Sequence, residues 1–197
     1  MKQYDRAYFD RWYHSPRRRV RQRELLARKV RLAVAATEYL LDRPLRTVLD
    51  VGCGEGAWQP RLERLRPGVR YLGIDSSEYA VARFGRRRNL RLGSVGELGR
   101  LGLRGPFDLV VCSDVLHYVP TPELRRGLKA MARLLGGMAF IEVFTREDET
   151  VGDSHGEQRR GAAAYRRLFR EAGLTRLGLF CFVGRALADT TMSFERA

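Results

Sequence analysis

The stretch that most constrains this chain is residues 48–56, Val-Leu-Asp-Val-Gly-Cys-Gly-Glu-Gly. Val48, Leu49 and Val51 form an apolar run suited to a strand inside a parallel sheet, while Gly52, Gly54 and Gly56 let the backbone turn tightly and approach a ligand. Trp58, Leu62 and Leu65 then predict a helix over 57–65. Strand, glycine turn and helix N-terminus together present backbone N–H groups at the carboxyl edge of a sheet, where open α/β folds bind ligands.

The rest of the sequence repeats that alternation. Strands are expected at 47–51, 69–74, 89–92, 106–112 and 138–144, with helices at 57–65, 77–84 and 122–135 and a weak helical turn at 97–101 between them. Such alternation predicts a doubly wound α/β fold with right-handed crossovers. A helix at 162–172 ends at Gly173, and two further strands, 174–183 and 186–194, turn at Gly184-Arg185. The expected architecture is a mostly parallel seven-stranded sheet with a C-terminal antiparallel hairpin.

Ahead of this domain, 46–197, residues 1–45 read as a helical cap or extension. Leu25, Leu26, Val30, Val34 and Leu41 recur at helical spacing over 22–41, and Asp42-Arg43-Pro44 ends the run. Tyr4, Tyr8 and Trp12 are spaced to share a helix face that docks on the domain and roofs a site. Arg17 to Arg23 is the densest basic run. The formal charge is +14, with 37 Lys+Arg against 23 Asp+Glu. Nearly all the cations are arginines, which reads as compositional bias ahead of a nucleic-acid surface. No apolar run reaches the ~18 residues of a membrane span, and the first residues lack a signal-peptide core, so a cytoplasmic protein is expected. Cys53, Cys112 and Cys181 form no C-x-x-C pair and read as free thiols, with no zinc site.

Asp50 closes the first strand and Asp75 the second. An acid at the end of the neighbouring strand, about 20 residues past a glycine turn, can accept hydrogen bonds from both hydroxyls of a ribose. Taken alone the turn is ambiguous, because Gly52, Gly54 and Ala57 also satisfy the G-x-G-x-x-A pattern of dinucleotide enzymes. A dehydrogenase, however, would need a substrate domain for which little chain remains.

Several segments together resemble the class I S-adenosylmethionine-dependent methyltransferases. They are Asp50-Val51-Gly52-Cys53-Gly54-Glu55-Gly56, Asp75, Phe107-Asp108-Leu109-Val110-Val111-Cys112-Ser113-Asp114-Val115-Leu116-His117-Tyr118-Val119, and Leu134-Leu135-Gly136-Gly137. The resemblance implies S-adenosyl-L-methionine as cofactor, leaving as S-adenosyl-L-homocysteine. Gly52, Cys53, Gly54 and Gly56 would pass beneath its methionine part, Asp50 would hold its ammonium, and Asp75 with Ser76 would take the ribose. Ser94 and Val95 would contact the adenine, and Ser113 and His117 would lie beside the cofactor. Many relatives carry an acid in the third-strand loop for the adenine amino group. Here that loop reads Gly93-Ser94-Val95, with Ser94 or a folded-back Glu97 as substitutes.

Methyl transfer from a sulfonium expels a neutral thioether, so positioning and water exclusion supply much of the rate, and a base is needed only for a protonated acceptor. His155, in the polar loop 145–161, is the candidate base, and Tyr8, Trp12 and Tyr118 are the expected acceptor contacts. Asp148, Glu149 and Asp153 have no spacing that fixes a magnesium site. The expected function is methylation of a small molecule. An RNA or protein methyltransferase using the arginine-rich N-terminus, and a non-catalytic S-adenosylmethionine-binding protein, are the alternatives. The absence of an Asn-Pro-Pro-Tyr type segment after the fourth strand weighs against a nucleic-acid substrate.

Overall fold

The computed structural model describes residues 4–12, 16–149, 153 and 155–192, with backbone only for residues 16–21. Seven strands form one sheet: β1 (Thr47–Val51), β2 (Arg70–Asp75), β3 (Leu90–Leu92), β4 (Phe107–Ser113), β5 (Leu135–Glu142), β6 (Leu174–Gly178) and β7 (Cys181–Gly184). Their spatial order is β3-β2-β1-β4-β5-β7-β6. The first five are parallel to one another, and β7 runs antiparallel to both β5 and β6. The strand order reverses between β1 and β4, so the connections leaving their carboxyl ends diverge and open a crevice there.

Helices cover both faces, as the near-continuous apolar strands require. On one side lie α2 (Pro16–Leu41), α3 (Gln59–Leu65) and α4 (Glu78–Arg88), which enclose Val30, Val34, Trp58, Leu62, Tyr71 and Phe140. On the other, α5 (Thr121–Leu134) and α6 (Ala162–Glu171) enclose Leu49, Val110, Leu124, Leu128, Met131 and Phe169. In α5, Leu124, Leu128 and Met131 fall at i, i+4 and i+7, which lays one apolar stripe on the sheet. Ser77 caps α4 by accepting from the Ala80 N–H, and Asn89 ends it in the left-handed conformation at φ 53°.

The long helix α2 is fastened by charge at both ends of the sheet. Arg43, just past its C-terminus, donates two hydrogen bonds to Asp108, at 3.0 and 2.8 Å, and the same carboxylate accepts from the Arg46 and Thr47 N–H groups. Within the helix, Lys29 reaches the buried Glu142 at the carboxyl end of β5, and Ser113 Oγ donates to the same Glu142 oxygen, each at 2.5 Å. Glu38 pairs with Arg66 after α3. Ahead of α2, α1 (Arg6–Trp12) starts where Asp5 Oδ1 accepts the Tyr8 N–H.

The closing hairpin is present but turns elsewhere than the sequence predicts. The strands meet at Leu179 and Phe180, both at positive φ (48° and 66°). Gly184 ends β7 and precedes a short helix, α7 (Arg185–Ala188). The sequence expectation placed the turn at Gly184-Arg185 because glycine is the usual residue there. Here the Phe180 carbonyl instead accepts from Ile141 N–H on β5, at 2.8 Å, and its ring meets Phe140 edge-on. Tertiary contacts thus hold two non-glycine residues in a conformation their local sequence does not announce. Smaller shifts occur elsewhere: α3 begins at Gln59, since residues 54–58 form turns, and α4 runs on to Arg88.

Candidate active site

The glycine turn is moored to the neighbouring strand. The Gly52 and Cys53 N–H groups both donate to the Ile74 carbonyl, at 2.7 and 3.1 Å, and the Gly54 N–H donates to Asp75 Oδ2 at 2.6 Å. The other Asp75 oxygen accepts the Ser77 N–H at 2.8 Å. Gly52 and Gly54 stand at φ +72° and +54°, a region closed to most side chains. A Cβ on Gly54 would lie 3.3 Å from the Phe9 ring, and one on Gly52 would overlap Val115.

This turn floors a cavity of about 520 Å3, a volume typical of small-molecule sites. Of the residues expected from sequence, Gly52, Gly54, Asp75, Ser76, Ser94, Val95, Tyr8 and Tyr118 line it. The wall also includes Tyr4, Phe9, Asp114, Val115, Glu123 and Gln158. The remaining expected residues lie outside the wall. Asp50 is buried behind the turn and accepts the Tyr71 hydroxyl at 2.7 Å. Burial, opposed by that hydrogen bond and helped by nearby Asp75, pushes its carboxyl up to about 7. Cys53 turns inward, and burial followed by the charges of Asp50 and Asp75 pushes its thiol far above the usual range, so it is no nucleophile. Gly56 is buried, where a Cβ would meet Leu90 at 2.9 Å.

Ser113 faces Glu142 and not the cavity, whereas Asp114, one residue on, lines it with φ at +64°. Successive residues at a strand end point to opposite faces, so an offset of one exchanges wall for core. A non-glycine residue at positive φ on a pocket wall is a common mark of function. His117 is buried, with Nε2 3.5 Å from Asp114 Oδ1 and its ring against Tyr118 and Phe144. It borders a separate cleft of about 70 Å3. His155 is exposed and its N–H donates to Asp153 Oδ1, while Gly156 and Gln158 of the same loop reach the cavity. Trp12 is part of α1 but not of the wall; its carbonyl accepts from Gln22.

The roof is built from α1 and the described residues 155–160 of the polar loop. Phe9 is buried against Tyr79 of α4, and Tyr4 and Tyr8 meet edge to face at 5.1 Å. Ser77 Oγ, besides capping α4, donates to the Tyr4 carbonyl. Burial, then the charges of Asp75 and Asp153, pushes the Tyr4 hydroxyl up to about 12, so it stays protonated. On the loop side, the Gln158 N–H donates to the His117 carbonyl, Tyr118 donates to the Asp153 carbonyl, and Arg160 holds the Val119 carbonyl. The side chains of residues 17–21, most of the arginine run, lie outside the described residues, and no group of metal-ligand type is found among those described.

Residues 49–138 match a family described as a methyltransferase domain. A ubiquinone biosynthesis O-methyltransferase of Dechloromonas aromatica is 35% identical over 114 residues, covering 53% of this chain and 47% of that protein. The chain spans half or less of the length of the curated relatives it matches. Among solved structures, DesVI of Streptomyces venezuelae superposes with a TM-score of 0.65 at 18% identity, covering 81% of this chain and 92% of that one. A magnesium protoporphyrin IX methyltransferase of Synechocystis, solved with bound S-adenosylhomocysteine, superposes with a TM-score of 0.59 at 20% identity, covering 83% and 81%. By its strand order and these superpositions the chain has the Rossmann-like fold that such methyltransferases share, and its residues 49–138 are similar to a methyltransferase domain.

Proposed function

We propose that the chain is an S-adenosylmethionine-dependent methyltransferase for a small-molecule acceptor, with residues 1–45 acting as a cap over its site. The observation that carries this reading is the cavity at the reversal of strand order, where Gly52, Gly54 and Asp75 converge beneath an aromatic roof. The residues fit the cofactor: a side chain at position 54 would fill the cradle under Phe9, and Asp75 keeps lone pairs open beyond its two backbone donors. When bound, S-adenosyl-L-methionine supplies an electrophilic methyl group on sulfur. The protein would contribute orientation through the glycine turn and Asp75, and exclusion of water through Phe9, Tyr4 and Tyr8.

The charge of the wall bears on the acceptor. Although the chain is strongly basic, the described wall contains Asp75, Asp114 and Glu123 and neither lysine nor arginine. An anionic acceptor would meet a wall whose described charged groups are all carboxylates, so a neutral or cationic one fits better. For an acceptor that arrives protonated, His155 is the candidate base, since its loop neighbours Gly156 and Gln158 form part of the wall. The three free cysteines suit the reducing cytoplasm, and among the described residues no helix is long and apolar enough to cross a membrane.

A nucleic-acid acceptor is the second reading, favoured by the convergence of Arg23, Arg64 and Arg88 on Arg61 from three helices. Calorimetric titration with S-adenosylhomocysteine, followed by radiolabel transfer to a panel of neutral, amine, carboxylate and RNA acceptors, separates the readings. Binding and labelling of a neutral or amine acceptor are expected. Lack of cofactor binding would refute the assignment, and labelling confined to RNA would replace the small-molecule acceptor.

A further inference from the structure

The third-strand loop of this site lacks the acid that would accept a hydrogen bond from an adenine amino group, and neither residue expected to substitute brings a carboxylate to the wall. Glu97 folds back to cap its own turn: its Oε2 accepts the Ser94 N–H at 3.0 Å and the Ser94 hydroxyl at 2.8 Å. Glu97 is exposed and outside the cavity wall, and Ser94, whose hydroxyl donates to it, offers the wall only a neutral oxygen, a weaker acceptor than a carboxylate.

A different carboxylate reaches the same stretch of wall from the opposite side. Glu123 lies in the first turn of α5, anchored by the buried Leu124 and Leu128 that follow. Two glycines permit the approach. A Cβ at Gly127 would lie 2.3 Å from Val95 Cγ1, and a Cβ at Gly96 would lie 2.9 Å from Glu123 Cβ and Cγ and 3.1 Å from its Oε2. Glu123 therefore lies across the 93–96 loop, half-buried, and lines the cavity together with Gly93, Ser94 and Val95. Of the three acids in the wall, Asp75 accepts from two backbone N–H groups and Asp114 sits 3.5 Å from the His117 imidazole. Glu123 makes no hydrogen bond or ion pair among the described residues. A partly desolvated carboxylate without a donor is unfavourable unless a ligand brings one.

We propose that Glu123 accepts a hydrogen bond from the exocyclic amino group of adenine and selects adenine over other purines, in place of the missing third-strand acid. The inference rests on the S-adenosylmethionine reading above. It predicts that the amino group is worth about tenfold to a hundredfold in affinity, the range of a hydrogen bond to a charged partner.

Calorimetry with S-adenosylhomocysteine, and with its analogue carrying hydrogen in place of the 6-amino group, measures this factor directly. The wild-type protein should prefer the amino compound by that factor. Glu123→Ala should bring the preference close to unity by weakening S-adenosylhomocysteine alone. Glu123→Gln, close in volume, should reduce the preference without loss of fold, while Glu97→Gln should preserve it. Equal binding of the two compounds by wild type, or a full preference retained by Glu123→Ala, would overturn the role of Glu123 and leave the cofactor assignment standing. Binding of neither compound by wild type would remove both.

Discussion

Gly52→Ala tests how the glycine turn and the fourth-strand loop share space. The added methyl would lie 2.4 and 2.8 Å from the two Val115 γ-carbons and 3.1 Å from its Cβ, where carbon atoms normally keep ~3.5–4 Å. Position 52 also stands at φ +72°, which costs an L-residue about 1–2 kcal/mol. Forcing a methyl into an occupied space adds about 1–3 kcal/mol. The single substitution should thus lower stability by roughly 2–5 kcal/mol, and by displacing a wall residue it should weaken S-adenosylhomocysteine binding. Adding Val115→Ala removes the overlapping methyls and leaves the backbone strain and the 3.1 Å approach to Cβ. Urea unfolding of the wild type, both single variants and the double variant should show a favourable coupling of about 1–3 kcal/mol, with m unchanged. Additivity within about 0.5 kcal/mol would show that Val115 does not confront the turn, and the close approach described here would be wrong.

The ribose assignment predicts that Asp75→Ala weakens S-adenosylhomocysteine by about 1.5–3 kcal/mol, read by calorimetry; unchanged affinity would reject it. The same variant should lose stability, because the Gly54 and Ser77 N–H groups lose their acceptor. Asp50 titrates near 7 in the folded protein and from 3.8 in the unfolded chain, so the folded state holds its proton more tightly. Its favourable contribution is fully present below pH 4 and fades as pH rises through 7. Asp50→Asn should therefore gain stability relative to wild type between pH 4 and 8, and a pH-independent difference would contradict the burial-driven shift. Phe9→Ala removes a buried ring seated on Gly54 and Tyr79, a loss of about 3–5 kcal/mol where the surroundings hold firm. Since α1 packs mainly through that ring, hydrogen exchange should rise across residues 6–12 and S-adenosylhomocysteine should dissociate faster. Unaltered exchange would mean that other contacts hold the roof.

Sequence reasoning reads best where the local pattern and the tertiary demand coincide. β1 sits at its expected bounds because an apolar run followed by glycines has few other uses, and Asp75 falls at the strand end where the ribose argument put it. The wall was less legible wherever one residue decides the face. The sequence reads Ser113 as the residue at this position, whereas it is Asp114 that lines the cavity, because the turn after β4 adopts a left-handed conformation that no glycine announces. Of Tyr8 and Trp12, both read as acceptor contacts from their shared spacing, Tyr8 lines the cavity, while Trp12, one helical turn further, lies outside its wall. Glu123 carries no signal in isolation; its significance depends on Gly96 and Gly127 admitting α5 to the loop, a relation between segments about 30 residues apart in sequence. The hairpin turn was misplaced for the related reason that contacts with β5 outweigh local turn preference.

The charged fastenings of α2 bear on where this protein can be cut. Asp108 and Glu142 sit at opposite ends of adjacent strands, both buried, and each draws a cation from the segment before residue 46. A chain shortened to start at β1 would keep every strand yet leave two carboxylates without their counter-ions, a more severe defect than the loss of a surface helix. The stretch from Lys29 to Arg43 is thus a covering in sequence but a foundation in energy, and a stable minimal core of this chain has to include it.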